Sequence, residues 1–430
     1  MSLSRTNIIG GESIFSIDGR LFSMGWRGIA GFDILCRRQR RSATMADGAD
    51  EPVSLKILNR VSQADPIAWD DCAGKDNPFV SHAFLSALED SGSAVEEEGW
   101  GPQHLILEDD QENLVGAVPI YVKSHSQGEY VFDHGWAHAF ENAGGKYYPK
   151  LVAGVPFSPV PGPRLLINPA ADQVHVGAAL AAGMMRLCEM HEASSVHVNF
   201  LPEEQWNLLG DFGFLQRQGQ QFHWQNNGYA NFDEFLGALS SRKRKNIKKE
   251  RKAVVDAGVT ISALTGDDIK AKHWDAFYAF YRDTTDRKWG WDYLKRGFFD
   301  LLQERMRDRV VLIFCEFDGL PVAGALNLRG SDTLYGRNWG ALARFKNLHF
   351  EACYYQAIEF AINHGLKRVE AGAQGQHKLQ RGYLPAATYS AHYIAHEGFR
   401  RAVADYLERE RTAVDEDIEI LMEYSPFKKS

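Results

Sequence analysis

The chain has 430 residues, a net charge of −8, 44% hydrophobic and 12% aromatic residues. That length exceeds one ordinary core and predicts two domains, and the apolar content excludes a disordered chain. The acidic balance argues against broad nonspecific nucleic-acid binding but leaves room for a local basic patch.

No stretch approaches the roughly 20 uncharged apolar residues of a membrane span. The five cysteines (Cys36, Cys72, Cys188, Cys315 and Cys353) lie far apart without metal-ligand spacing. This predicts reduced thiols, a cytoplasmic setting and no metal site. The first 44 residues hold seven arginines, no lysine and three acids. They read as part of a disordered or targeting extension over residues 1–50, and without an apolar h-region they do not read as a secretory signal.

In chain order, "HLILEDDQENLVGAVPIYVKS" (104–124) predicts strand, polar turn, strand. The stretch 121–151 follows as a long, turn-rich segment rich in His and Tyr. Segments of that kind often carry function, and its Tyr147, Tyr148 and Lys150 are candidates for the acceptor side of a cleft. Residues 177–205 predict an apolar-periodic helix and then the strand "VHVNF", which alternates and ends in polar residues.

Residues 232–264 predict mostly helix, with Phe235, Leu236 and Leu239 on an apolar face and Gly258 as C-cap before a strand from Val259 to Leu264. "WDAFYAFYR" (274–282) predicts a helix whose Phe277, Phe280 and Tyr281 belong to the core. The following loop offers Lys288 and Trp291 as substrate contacts. "VVLIFCEFDGLPVAGALNLRG" (310–330) is a second hairpin signal, turning at Asp318-Gly319. Residues 350–376 repeat helix, Gly stop at Gly365, and strand. Two copies of hairpin, helix and strand point to a duplicated α/β unit.

Eight of the eleven residues from Arg242 to Lys252 are basic: Arg242, Lys243, Arg244, Lys245, Lys248, Lys249, Arg251 and Lys252. Like charges at this density weaken a helix unless something neutralises them. The plain alternative is a solvated face with counterions. The density within an acidic chain favours a phosphate-rich partner such as RNA or a nucleotide.

"EAGAQGQHKLQRGYLP" (370–385) gathers hydrogen-bonding side chains and three glycines on one turn. Together with "SSRKRKNIKKERK" and "GRNWGALARFKNLHFEACYYQ" (336–356), it resembles the FemAB-like family of peptidoglycan biosynthesis or recognition proteins, within the GNAT acyltransferase superfamily. The resemblance extends from about residue 70 to 400 and includes "NPFVSHAFLSALEDSGS", "YYPKL" and "GPRLL".

The resemblance implies an α/β fold of two tandem GNAT-like domains, each a mixed sheet flanked by helices, joined through a long basic helix. The expected boundaries are 51–230 and 231–415, with a tail from 416 to 430. It further implies N-acyltransferase activity toward a small-molecule or peptide amine. Better-known Fem enzymes take the acyl group from aminoacyl-tRNA, which would make tRNA a partner and the basic run its contact. The stretch "WGALARFKNLHFEACYY" lacks the Gly-rich turn with which CoA-dependent relatives hold pyrophosphate. This weakens acetyl-CoA as the donor. The resemblance carries over no catalytic residues.

N-acyl transfer needs a neutral amine, a held oxyanion and a proton for the leaving group. On residue chemistry alone, Glu370 is a candidate base, His377 a proton relay and Tyr383 a proton donor. Lys378 and Arg381 suit a phosphate or carboxylate, Gln374 and Gln376 a polar substrate, and the backbone at Trp339 and Gly340 an oxyanion. The plainer alternatives are a Glu370–Arg381 pair, a solvated His377 and a packed Tyr383. A CoA-dependent N-acetyltransferase and a noncatalytic RNA- or precursor-binding protein are the competing functions.

Overall fold

The computed structural model describes residues 13–16, 54–288, 292–373 and 375–428, with 13–16 and 288 described in their backbone only. The expected mixed α/β architecture is present: two sheets flanked by helices. The smaller sheet is antiparallel, in the order Ser13–Ser16, Ser54–Leu58, His104–Glu108, Leu114–Val118, Leu166–Ile167. The larger has eleven strands and runs through both halves of the molecule.

Its order places the halves in contact by exchange. Val259–Thr265, Val310–Phe317, Leu320–Arg329, Thr333–Ala341 and Arg368–Glu370 come first; then Leu215–Gln225, Leu384–Ile394, Ser195–Leu201, Lys150–Ala153, Ile120–Lys123 and Trp100–Pro102. Strand Leu215–Gln225, from the N-terminal half, therefore lies between two strands of the C-terminal half. Strand Leu384–Ile394, from the C-terminal half, lies between two strands of the N-terminal half. The two exchanged strands pair antiparallel over nine residues, from Leu215↔His392 to His223↔Leu384.

Each half also contains one parallel pair. Thr333–Tyr335 pairs with Arg368–Glu370, and Leu151–Ala153 pairs with Val196–Val198. After Tyr335 and Glu370 the two C-terminal strands part: one continues to Ala341 along its hairpin partner, the other turns away. A fork between parallel strands leaves backbone groups and a gap at the strand ends, a recurrent place for ligands.

Local sequence explains the elements. Asp318 and Gly319 both take positive φ (51° and 73°), which sets the tight turn of the Val310–Arg329 hairpin. Asp172 accepts hydrogen bonds from the backbone N–H groups of Val174 and His175 and so starts the helix Gln173–Met190. Gly258 takes φ 75° just after the helix Ser241–Asp256 and before the strand Val259–Thr265. The expected continuous helix near 232 is broken: Phe232–Ala238 ends at Leu239, which is extended, and the basic helix starts at Ser241. Phe235, Leu236 and Leu239 are nevertheless buried together. The turn-rich stretch 121–151 contains a helix, His134–Asn142. The last helix, Glu397–Glu423, runs through the expected boundary at residue 415.

Among the described residues the core has a cluster under each half, a large cluster shared between them, and a small fourth one joining Trp136 and Tyr147 to Val403 and Leu407. Phe277, Phe280 and Tyr281 are buried in the shared cluster, as their helical spacing predicts. There helix His82–Asp90 packs on helix Arg296–Met306, with Phe84 edge-on to Phe298 at 5.8 Å. Burying one such ring contributes about 1.5–3 kcal/mol, so this cluster holds the halves in register.

Candidate functional site

Glu370 ends its strand at the fork, opposite Tyr335 on one side and His223 on the other. It is 3% exposed. The Arg368 guanidinium Nε lies 3.1 Å from Oε1 but is not aligned for a hydrogen bond, and both carboxylate oxygens lack hydrogen-bond partners among the described residues. Burial pushes the carboxyl up to about 7, with Arg368 opposing and Asp332 adding to the rise. A carboxylate poised near neutral pH, with free lone pairs beside a strand fork, can take a proton from a bound ammonium or hydroxyl.

The turn that follows is shaped by glycine. Gly375 sits at φ 123° and Gly382 at φ 93°; a Cβ at Gly375 would meet the His377 ring at 2.6 Å, and one at Gly382 the Phe235 ring at 2.9 Å. Within this turn Lys378 is buried and donates to Gly372 O at 2.7 Å, and burial pushes its ammonium down to about 8. His377 is exposed, and its Nε2 lies 2.9 Å from the Tyr354 hydroxyl. Partial burial, with Arg381 and Lys378, holds the His377 ring below the usual histidine range. Tyr383 is fully buried, and its hydroxyl donates to Tyr354 O at 3.4 Å.

Arg381 stacks over Phe350 with its guanidinium carbon 3.4 Å from the ring centre, and its Nη2 contacts both oxygens of Glu250 at 3.0 and 3.1 Å. Glu250 also accepts from the Tyr355 hydroxyl. The next residue, Arg251, bonds Glu351 and Glu359. One edge of the basic helix is thus bonded to the turn and to residues 351–359. Lys248 reaches Asp233 at 3.3 Å and Lys252 reaches Asp256 at 2.6 Å. Arg242, Lys243, Arg244, Lys245 and Lys249 have no acidic partner within 4.0 Å among the described residues. Burial, and then Arg242 and Arg381, hold the Lys243 ammonium below its usual range.

A cavity of about 280 Å³ adjoins the turn through Ala373 and lies over the exchanged strands. Arg217, Gln220, Thr388 and Ser390 line it, and Tyr130 and Glu410 bound it. Arg217 and Glu410 form a two-point ion pair with both contacts at 2.8 Å.

The N-terminal candidates lie in a different setting. Lys150 and Tyr147 are 0% exposed. Lys150 donates to Glu129 and Ser126, each at 2.8 Å, and to Asp133, while Tyr147 donates to Asp133 at 2.7 Å. The Tyr148 and Ser126 hydroxyls are 2.8 Å apart. Burial opposes ionisation of Glu129 and moves it up to about 7. For Asp133, burial is outweighed by Lys150 and His197, and its carboxyl is held well below the usual range.

The structure therefore gathers Gln376, His377, Lys378, Arg381, Tyr383 and the basic helix in one region. Glu370 lies at the base of the same turn without a hydrogen bond to His377 or Tyr383. Tyr147, Tyr148 and Lys150 form a separate buried cluster. Gln374, Trp291 and the side chain of Lys288 lie outside the described residues. Sequence reading missed Arg368, Tyr354 and the inward role of Glu250, the one acid in the basic run. It also missed Ser390, His392, His197 and Asn199, whose period-two polar spacing on two strands was the available signal.

The family profile for FemAB-like proteins, described as peptidoglycan biosynthesis/recognition, matches residues 60–429. No curated relative matches the chain. Among solved structures, FemX is similar at 10% identity and a TM-score of 0.50, covering 79% of this chain and 98% of its own. The C-terminal domain of a chain assigned as a lysylphosphatidylglycerol synthetase from Agrobacterium fabrum is similar at 8% identity and a TM-score of 0.50, covering 81% and 96%. A tandem GNAT protein from the clavulanic acid biosynthesis pathway is similar at 9% identity and a TM-score of 0.45, covering 80% and 99%. At these identities the likeness concerns the fold.

Proposed function

Because the chain belongs to the FemAB-like family of peptidoglycan biosynthesis/recognition proteins, we propose that it is an N-acyltransferase that moves an acyl or aminoacyl group onto an amine of a small molecule or peptide. The observation that carries this reading is Glu370: a buried carboxylate beside Arg368 whose oxygens accept no hydrogen bond among the described residues, poised near pH 7 at a strand fork. Acyl transfer to an amine requires an amine freed of its proton, and a base in that range supplies this step near neutral pH.

The donor we favour is aminoacyl-tRNA. Five cations of the basic helix have no acidic partner among the described residues, and the helix is bonded to the turn through Glu250 and Arg381. Such a row suits a phosphate backbone. Acetyl-CoA is the weaker choice, because residues 342–347, ahead of the helical segment starting at Leu348, contain no glycine to bring backbone N–H groups onto a pyrophosphate. The exposed turn residues Gln376 and His377 then face the reacting ester, and a peptide or small-molecule amine approaches from the cavity beside Ala373.

The test is label transfer from charged tRNA, and in parallel from acetyl-CoA, to a panel of peptide amines. The reading expects amide formation that Glu370→Gln removes while donor binding persists. Salt-sensitive RNA binding with no turnover from any donor would instead favour a noncatalytic binding protein on the same fold.

A further inference from the structure

The exchanged strands carry a second constellation, separate from Glu370. Ser390 lines the cavity. Its Oγ lies 2.9 Å from Nε2 of His392, two residues along the same strand. Nδ1 of His392 lies 2.7 Å from Nδ1 of His197, on the neighbouring strand from the other half of the chain. Nε2 of His197 lies 2.8 Å from Ser195 Oγ and 3.8 Å from Asp133. Ser390, His392 and His197 are at most 4% exposed.

The ionised Asp133 sets the direction of this chain. It favours a proton on His197 Nε2, which leaves His197 Nδ1 as an acceptor. His392 must then donate from Nδ1, and its Nε2 is left to accept from the Ser390 hydroxyl. The two hydrogen bonds point the same way, from the Ser390 hydroxyl to His392 and from His392 to His197, whose Nε2 bonds Ser195 Oγ rather than Asp133. Burial first, then His197 and Arg217, hold His392 well below the usual histidine range, so its ring rests neutral with the Nε2 lone pair turned to the Ser390 hydroxyl.

A donor for an oxyanion stands beside the hydroxyl. Asn199 is the register partner of Ser390 on the next strand, so the two side chains share one face of the sheet. Asn199 is 3% exposed, and both atoms of its amide lack a hydrogen-bond partner among the described residues. A buried amide left open next to a hydroxyl–imidazole pair has the arrangement of a nucleophile with its oxyanion donor.

We propose that Ser390 is a nucleophile that takes an acyl group from an ester donor in the cavity, with His392 as its base, Asn199 as oxyanion donor and His197 as a positioning residue. Ser390 Oγ bonds to the acyl carbon as its proton passes to His392 Nε2. The ester C–O bond then breaks, and the leaving oxygen takes that proton. An amine next attacks the acyl-serine: a C–N bond forms, the serine C–O bond breaks, and the amine proton returns through His392 to Ser390. A proton arriving on His392 can be passed along the Nδ1–Nδ1 contact to His197, whose Nε2 lies 3.8 Å from Asp133, itself ion-paired to Lys150. The site deepens the acyltransferase reading and rests on it only for the amine that accepts the group; with water as acceptor it would be a hydrolytic site.

The test treats the full-length chain with diisopropyl fluorophosphate, followed by peptide mapping, and measures the release of p-nitrophenol from p-nitrophenyl acetate. The expected result is one adduct, on Ser390, with a burst of one equivalent. Ser390→Ala should lose both, and His392→Gln should slow labelling by at least about 100-fold. Mapping on the unsubstituted chain keeps the test independent of how any variant folds. Absence of an adduct on Ser390, or unchanged labelling of the Ser390→Ala chain, would overturn the proposal. Amide transfer that needs Glu370 but leaves Ser390 unlabelled would overturn this proposal and keep the acyltransferase reading. Ser390 labelling without amide transfer would do the reverse.

Discussion

Arg381 Nη2 contacts Glu250 Oε1 at 3.0 Å, so the single acid within the Arg242–Lys252 run faces the glycine-rich turn. The helix is thereby docked by one edge, while Arg242, Lys245 and Lys249 are exposed without an acidic partner among the described residues. Removing Glu250 would leave the 7%-exposed Arg381 without its counter-charge. Breaking a buried pair from one side costs about 3–5 kcal/mol. Glu250 is itself a quarter exposed, so Glu250→Ala is expected to cost about 3 kcal/mol, the low end of that range, by denaturant unfolding.

The unpaired cations make the opposite prediction. Charge reversal of Lys245 and Lys249 should leave stability within about 0.5 kcal/mol, the usual effect of surface changes. It should weaken tRNA binding and flatten its dependence on salt, since each phosphate contact contributes to that slope. Titrations at two salt concentrations read both effects; unchanged tRNA affinity would return the run to a solvated face.

Glu370 predicts two pH effects of one origin. Its carboxyl rises to about 7 in the folded chain, from an ordinary value of 4.5. Between those values the unfolded chain binds fewer protons than the folded one, so stability falls as pH rises from about 4.5 to 7 and then levels. Glu370→Gln should remove that slope. Catalysis needs the ionised form, so the rate should climb through about pH 7, and the Gln variant should lose about 100- to 10,000-fold in turnover.

The strand exchange predicts that neither half folds alone. Each lacks a central strand that the other supplies: Leu384–Ile394 lies beside Ser195–Leu201, and Leu215–Gln225 beside Arg368–Glu370. Residues 1–230 and 231–430 expressed separately should unfold without a cooperative transition. Co-expression should give a 1:1 complex that melts cooperatively.

Much of this fold was legible because its signals are local. Asp318-Gly319, Gly258 and Gly365 mark turns and helix ends where the chain takes positive φ, and the repeated hairpin–helix–strand pattern marks the two halves. The turn at 370–385 was legible as a polar, glycine-rich segment. The exchange was not, because the register between Leu215–Gln225 and Leu384–Ile394 joins residues more than 150 positions apart, and alternation states a strand's faces but not its neighbour. The same limit hid the imidazole pair: His197 and His392 meet only once that exchange is made. Lys150 looked like an accessible cation. Its burial against Glu129 and Asp133 depends on the chain folding back over 17 to 21 residues.

The most direct test of the account is the rate of amide formation from charged tRNA to a peptide amine, for the unsubstituted chain and for Glu370→Gln, at pH 6 and pH 8. The account predicts transfer that is faster at pH 8 and absent in the variant, with tRNA affinity equal in both. Transfer by Glu370→Gln at the unsubstituted rate would contradict it.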